Sequence, residues 1–406
     1  MLICLLFLFF LSDKLSSETT LVFPPWGHNW GIQRVNSAHL QLFLPGLAFK
    51  KPAGLAVTRF VATDLPGPED DILVTALGID SGIPDMIFNT SMYKLARYSV
   101  FFPQNLLAAP SDVAADSRGN IFIADTGNSR VLHLELSEGS LHLRREIRGF
   151  ISPFSVEIAG DNLLAISDTD ADKIVLYDFS VNMPVKTIVT EKPLALACIL
   201  AEDKWNFYRE NALFAVTGGG RAIAKFSLDG KIQLSVPSAG KIQYIDCDYY
   251  SQIYTPDPVI CKIHKYSRKL EYITSFGSCG NKDRQFDRPL GIAVHRRFGM
   301  VFISEAGGAQ YYWMGTDMLD LKAESVPGGI KFFLTLTEPA DLEFVLEYPD
   351  RSEKSIFKKR FFSHQIEYFC DEKTASNALQ VSITAHPTYS SRTRFVCIKK
   401  IPLPGK

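Results

Sequence analysis

One stretch of this chain constrains its fold more than any other: Pro110 to Val131, P-S-D-V-A-A-D-S-R-G-N-I-F-I-A-D-T-G-N-S-R-V. It reads strand, tight turn, strand, polar corner, strand. Val113-Ala114-Ala115 and Ile121-Phe122-Ile123-Ala124 are apolar runs separated by the turn Asp116-Ser117-Arg118-Gly119. The corner is Asp125-Thr126-Gly127-Asn128, followed by Arg130-Val131. A continuous apolar strand is one covered on both faces. Echoes of the stretch recur about every forty to sixty residues, a period that means stacked supersecondary units.

Six such units can be counted. The first opens at Pro52-Ala53-Gly54-Leu55-Ala56-Val57, with a second strand over Asp71 to Ala76, and the second is the stretch just quoted. The third runs Pro153 to Ile158 and Leu163 to Asp168, and the fourth Pro193 to Cys198 and Leu213 to Thr217. The fifth lacks an opening proline and runs Ile242 to Asp246, then Gln252 to Thr255. The sixth runs Pro289 to Val294 and Val301 to Glu305, ending in Gly307-Gly308. The Pro110–Val131 stretch closely resembles one NHL repeat, the four-stranded blade of a β-propeller. That resemblance implies an all-β chain with a six-bladed NHL-like propeller over residues 36–316. A radial array leaves only short sheet edges, but its ring must close. Leu40-Gln41-Leu42-Phe43-Leu44, just before Pro45-Gly46, reads as the outer strand of blade six supplied from the N-terminus.

The 406 residues leave room for a second domain. Thr, Asp, Glu, Ser, Pro and Gly-Gly loosen the pattern after Met314, and residues 317–329 read as a linker. Beyond it come short alternating strands: Ile330 to Leu336, Leu342 to Glu347, Ser355 to Phe361, Gln365 to Phe369, Leu379 to Thr384 and Thr393 to Ile398. Several short strands with regular turns make a β-sandwich, so residues 330–406 read as an immunoglobulin-like module. Tyr311-Tyr312-Trp313 is either the surface on which that module docks or ordinary strand aromatics.

Leu2 to Leu11 are apolar but too few to span a bilayer. They suit the core of a signal peptide over residues 1–17, though no Lys or Arg precedes them. Residues 18–35 are then an N-terminal segment, and the chain is secreted or periplasmic with no membrane span. A net charge of −1 lacks the basic excess that nucleic-acid binding needs. Six cysteines lie beyond Cys4, an even number suited to an oxidising compartment. Cys261 and Cys279 share the corner face, Cys198 and Cys247 end first strands in adjacent blades, and Cys370 and Cys397 lie on separate tail strands. These are the three expected bridges; the alternative is buried free thiols.

In a blade the second strand returns to the face from which the first one left. The corners therefore share a face with the opening prolines, and several separated pieces of sequence converge on one rim. Loops on a rigid scaffold are where sites are built. This rim carries Asp80, Asp125, Asp168, Asp170, Asp172, Asp257 and Glu305. Carboxylates around a channel mouth are suited to Ca²⁺, which takes six to eight oxygens. The competing role is local, since Asp and Asn bond their own backbone. On that view Asp125, Asn128 and Arg130 cap the corner and tie strands together.

Secreted NHL propellers include an enzyme, peptidyl-hydroxyglycine amidating lyase, which this chain resembles in blade pattern only. That family holds zinc with histidines on different blades. Here His28, His39, His133, His142, His264, His295, His364 and His386 avoid the first-strand openings and corners, and each reads as solvated or satisfied. No G-x-S-x-G or H-E-x-x-H occurs. Gly218-Gly219-Gly220-Arg221 precedes no helix and reads as a turn rather than an anion site. The preferred reading is a non-enzymatic scaffold that binds an extracellular or periplasmic protein, peptide or glycan at the acidic rim. The alternative is a metal-dependent lyase or hydrolase of the six-bladed class.

Overall fold

The computed structural model describes residues 20–22, 34–60, 74–83, 85–90, 94–99, 106–137 and 140–404. The expected signal peptide, residues 1–17, lies outside them. Six antiparallel sheets form the blades of a propeller. Blade two contains Asp112–Ala115, Asn120–Asp125, Arg130–Ser137 and Ser140–Arg148. Blade three contains Pro153–Ile158, Leu163–Asp168, Lys173–Asp178 and Met183–Val189. The first strand of each blade lies innermost, and those of the other blades are Pro52–Thr58, Leu196–Ile199, Asp246–Cys247 and Pro289–His295. The second strand of blade one runs Thr75–Asp80, later than the Asp71 to Ala76 that the sequence suggests.

Period-two alternation explains why second strands are apolar throughout. Ile121 and Ile123 pack into the cluster shared with blade one, with Leu77 and Ile79. Phe122 and Ala124 face the other way, into the cluster shared with blade three, with Leu164 and Ile166. Each blade therefore presents one apolar face to each neighbour. Near the axis the first strands crowd together. A Cβ on Gly54 would lie 2.6 Å from the Asp112 Cα, and one on Gly291 would lie 2.3 Å from the Ala53 carbonyl oxygen. Only glycine permits that approach.

The N-terminus closes the ring, but with other residues than expected. Leu21–Val22 pairs with Trp313 and Met314, and Arg34–Asn36 pairs with Gly308 to Gln310, on the third strand of blade six. The segment containing Leu40 to Phe43 is instead a helix, Ser37–Phe43. The Asn36 side chain accepts from the His39 amide at 3.1 Å and so caps it. Leu40 of this helix is buried among apolar neighbours, while Leu42 faces solvent.

The tail is a two-sheet sandwich. Three strands, Met318–Val326, Gly329–Leu336 and Gln365–Asp371, form one sheet. Ala340–Glu347, Glu353–Phe361, Gln380–Pro387 and Cys397–Pro402 form the other. Phe332, Leu334 and Ile366 from the first sheet meet Phe344, Leu346 and Ile383 from the second in one core. The expected linker is thus mostly strand. Its alternating polar residues fit a sheet edge with one wet face.

The sandwich docks on blade five. Glu338 is buried there against Lys265 and the Tyr254 hydroxyl, and it accepts from Gln252 Nε2 at 2.8 Å. Tyr250 donates to Thr388 Oγ1 at 2.8 Å, and the Tyr389 hydroxyl accepts from the Tyr249 amide at 3.2 Å. Tyr311, Tyr312 and Trp313 are interior aromatics rather than the docking surface. Trp313 and Tyr311 pack with Val22, and Tyr312 packs on Phe276.

Candidate active site

The acidic residues of the corner rim hold the propeller's loops together. Asp80 accepts from the Lys50 and Lys51 amides at 2.7 and 2.8 Å. Asp125 accepts from the Ala108 amide at 2.8 Å, and Asp168 from the Ser152 amide at 2.8 Å. Glu305 accepts from the Asp287 amide at 2.9 Å and pairs with Arg34. In these four blades the acid that ends the second strand fastens the segment leading into its own blade. Asp125 also takes Arg130 Nε at 2.7 Å and Asn128 Nδ2 at 2.8 Å, which is the capping role expected of those three residues. Asp257 caps its own turn through the Val259 amide and lies 3.6 Å from His264. Asp80, Asp125, Asp168, Asp257 and Glu305 are all buried. Asp170 is exposed and pairs with Lys192, while Asp172 accepts the Lys192 amide. Among the described residues, no group of three or more His, Cys, Asp or Glu is placed to hold a metal ion.

The other face of the ring is different. There the first strands end, and their last residues surround a cavity of about 430 Å³. Thr58-Arg59, Glu157-Ile158, Asp246 and His295-Arg296-Arg297 line it, together with the loop residues Asp203, Lys204 and Trp205. The carboxylates stitch neighbouring blades. Glu157 accepts the Cys198 amide at 3.2 Å, and Asp246 accepts the Val294 amide at 2.7 Å. Deeper in, Asp112 accepts from Ser155 Oγ at 2.5 Å. Arg296 bridges the wall, with Nη1 3.2 Å from Asp203 and Nη2 2.6 Å from the Cys198 carbonyl. The Trp205 ring lies under two cations, Lys204 at 5.4 Å and Arg297 at 5.0 Å.

Crowding of ionisable groups in a partly dry cavity moves their proton equilibria. Burial, with the Asp246 charge beside it, raises Glu157 from the usual carboxylate value to about 8. Burial raises Asp112 to about 7, and Asp246 is raised by burial against the opposing pull of Arg296. His295 moves the other way, to about 3, through burial and the charges of Arg59, Arg297 and Arg296. Near neutral pH the Glu157 carboxyl therefore keeps a substantial protonated fraction, while His295 is a neutral imidazole. Its Nδ1 is buried with no hydrogen-bond partner among the described residues, so that nitrogen is not satisfied as expected. Glu157, Asp246, His295 and Arg296 were not singled out as site residues from the sequence. The signal was available, because the strand-direction argument that gathers corners on one face gathers first-strand ends on the other.

Of the three expected disulfides only Cys261–Cys279 forms, with Cα atoms 4.9 Å apart. Cys198 and Cys247 are free and buried. The Arg296 guanidinium reaches between their strand ends, 3.3 Å from Cys247 Sγ. Cys370 and Cys397 are also free. They belong to different sheets of the sandwich, and Cys397 Sγ lies 3.4 Å from Asp317. Among the described residues no helix is long and apolar enough to cross a membrane.

Residues 107–134 match the NHL repeat family. No curated protein matches the sequence. Similar solved structures include a streptogramin B lyase, 13% identical over 71% of this chain and 92% of that one, with a TM-score of 0.45. A virginiamycin B lyase from Staphylococcus aureus is 12% identical over 74% of this chain and 94% of its own, at a TM-score of 0.43. A gluconolactonase from Xanthomonas campestris is 12% identical over 72% and 97%, at 0.49. The preference for a non-enzymatic chain is not retained, since these three neighbours are named as lyases and a gluconolactonase. Sheet topology makes this chain an all-β, six-bladed propeller followed by a β-sandwich, in which one stretch, residues 107–134, matches the NHL repeat.

Proposed function

We propose that the protein is a lyase or hydrolase whose active site is the cavity at the first-strand ends. One observation carries this reading: a single cavity wall presents a carboxyl raised to about 8 and an imidazole lowered to about 3. Titratable pairs pushed apart in this way mark the acid and the base of a reaction. Glu157 delivers its proton to the departing atom of the substrate. His295, a neutral imidazole in the same lining, accepts a proton from the substrate or from water. Arg59 and Arg297 supply positive charge where an anionic substrate group or a developing oxyanion sits. The Trp205 ring gives the substrate a flat apolar contact. The reaction belongs outside the cytoplasm, a placement supported by the Cys261–Cys279 bridge and the apolar run Leu2 to Leu11.

The test is turnover on a panel of lactones, esters and substrates with an eliminable group, each bearing a carboxylate. Glu157→Gln and His295→Ala each lower kcat by about 10²- to 10⁴-fold with the melting temperature retained. The kcat/KM of the parent protein falls on the alkaline side with a midpoint near 8, where Glu157 ionises. Turnover that survives both substitutions overturns the assignment of the site.

A further inference from the structure

A second concavity, about 610 Å³, lies between blade five and the sandwich. Tyr208, Tyr250 and Tyr272 line it from the propeller, and Phe362 lines it from the sandwich. Tyr272 is 53% exposed and Phe362 39% exposed, high values for rings of this size. Phe362 is backed by Phe207, stacked at 4.7 Å between centroids, and Tyr272 is braced edge-on by Tyr266 at 5.6 Å. The rings are therefore held in place rather than left loose.

The polar lining is as informative as the rings. Gln252 lines the groove and is 2% exposed. Its Nε2 is fixed on Glu338 at 2.8 Å, which leaves its Oε1 as a buried acceptor with no partner among the described residues. Buried acceptors without donors are rare. His364 lines the same groove, and its Nδ1 lies 2.7 Å from the Leu336 carbonyl. Nδ1 must carry the hydrogen to make that bond, so Nε2 is the acceptor. Both nitrogen and oxygen ask the ligand for donated hydrogens. The charged lining is of mixed sign, Arg268 and Lys269 with Glu271: Arg268 lies 3.7 Å from Glu210 and over the Tyr208 ring, and Glu271 accepts from the Ser267 hydroxyl at 3.0 Å. The groove thus presents both signs of charge rather than a field of one sign.

Aromatic faces and hydrogen-bond acceptors together describe the complement of a pyranose. Such a ring has an apolar C–H face for stacking and a rim of hydroxyls that donate. We propose that the groove between blade five and the sandwich is a binding site for a neutral glycan, separate from the axial cavity. The two modules build it jointly. The buried contacts of Glu338 with Lys265, Tyr254 and Gln252 lock them together, so the groove is formed before the ligand arrives.

The experiment uses the full chain. Its migration is followed in native gels containing galactomannan, xyloglucan or mixed-linkage β-glucan, and titration calorimetry is run with hexaoses of glucose, mannose, xylose and N-acetylglucosamine. At least one neutral glycan retards and binds the protein. Tyr272→Ala and Phe362→Ala each weaken that binding at least tenfold with the melting temperature retained, and Trp205→Ala, in the other cavity, leaves it unchanged. The proposal is overturned if no glycan binds, if binding survives both groove substitutions, or if Trp205→Ala abolishes it. Binding of an unstructured casein digest in place of every sugar also overturns it, in favour of a peptide groove.

Discussion

Glu157 and His295 share one cavity, and stability should report the environment that separates them. Glu157 is raised from 4.5 to about 8, so the folded state holds its proton where the unfolded chain has lost it. Its contribution is full below the unfolded value and disappears as pH rises from about 4.5 to about 8. His295 has the opposite sign. Its folded value is depressed, so its contribution is present above 6.5 and is lost as pH falls towards 3. Thermal unfolding followed across pH 3 to 9 should therefore show a decline between pH 5 and 8 that Glu157→Gln flattens. In His295→Ala the acid-side decline should shrink while the alkaline one persists. These residues were hidden in the sequence for a physical reason. A glutamate and a histidine at strand ends look like any solvent-facing polar pair until six strands are brought around one axis. Asp125, Asn128 and Arg130 were legible because their bonds to one another are local, spanning five residues or fewer.

At the scale of elements, legibility follows the two-faced burial of the second strands. Blade three was read to the residue, Pro153–Ile158 and Leu163–Asp168, because its apolar run is bounded by Pro153 and Asp168. The segment over Leu40 to Phe43 misled because Leu-Gln-Leu-Phe-Leu alternates like a strand, whereas the capping Asn36 three residues before His39 marks a helix start. Met318–Val326 misled for the opposite reason: an edge strand with polar outward residues has the composition of a linker. Blade five has the weakest pattern and a first strand of only two residues. It is also the blade with a covalent tie, as Cys261–Cys279 joins the start of its third strand to the chain leaving its fourth. The bridge spans 18 residues, a loop for which cross-linking contributes about 3 kcal/mol. Replacing both cysteines with serine should lower the urea midpoint by the corresponding amount. An unchanged midpoint would mean that packing alone holds blade five.

At the scale of the molecule, the two modules are joined by buried polar groups rather than by an apolar face alone. Lys265 and Glu338 are both almost fully buried, each the other's counter-charge. Removing one member of such a pair leaves an uncompensated charge, at a cost of about 3–5 kcal/mol. Glu338→Ala should therefore destabilise by that amount in chemical denaturation, and propeller and sandwich should unfold in one transition in the parent protein. Replacing both residues together, Lys265→Met with Glu338→Leu, should recover much of the loss. The ring closure carries a different consequence, one of timing. Asn36 leaves the ribosome early, yet its partner strand at Gly308 to Gln310 is made roughly 270 residues later, about a quarter of a minute to a minute at ordinary elongation rates. Throughout that interval the strand made first has nowhere to go, and the blades already synthesised form an arc with two open ends. Helpers that shield nascent chains would have to act on this protein until its last blade emerges.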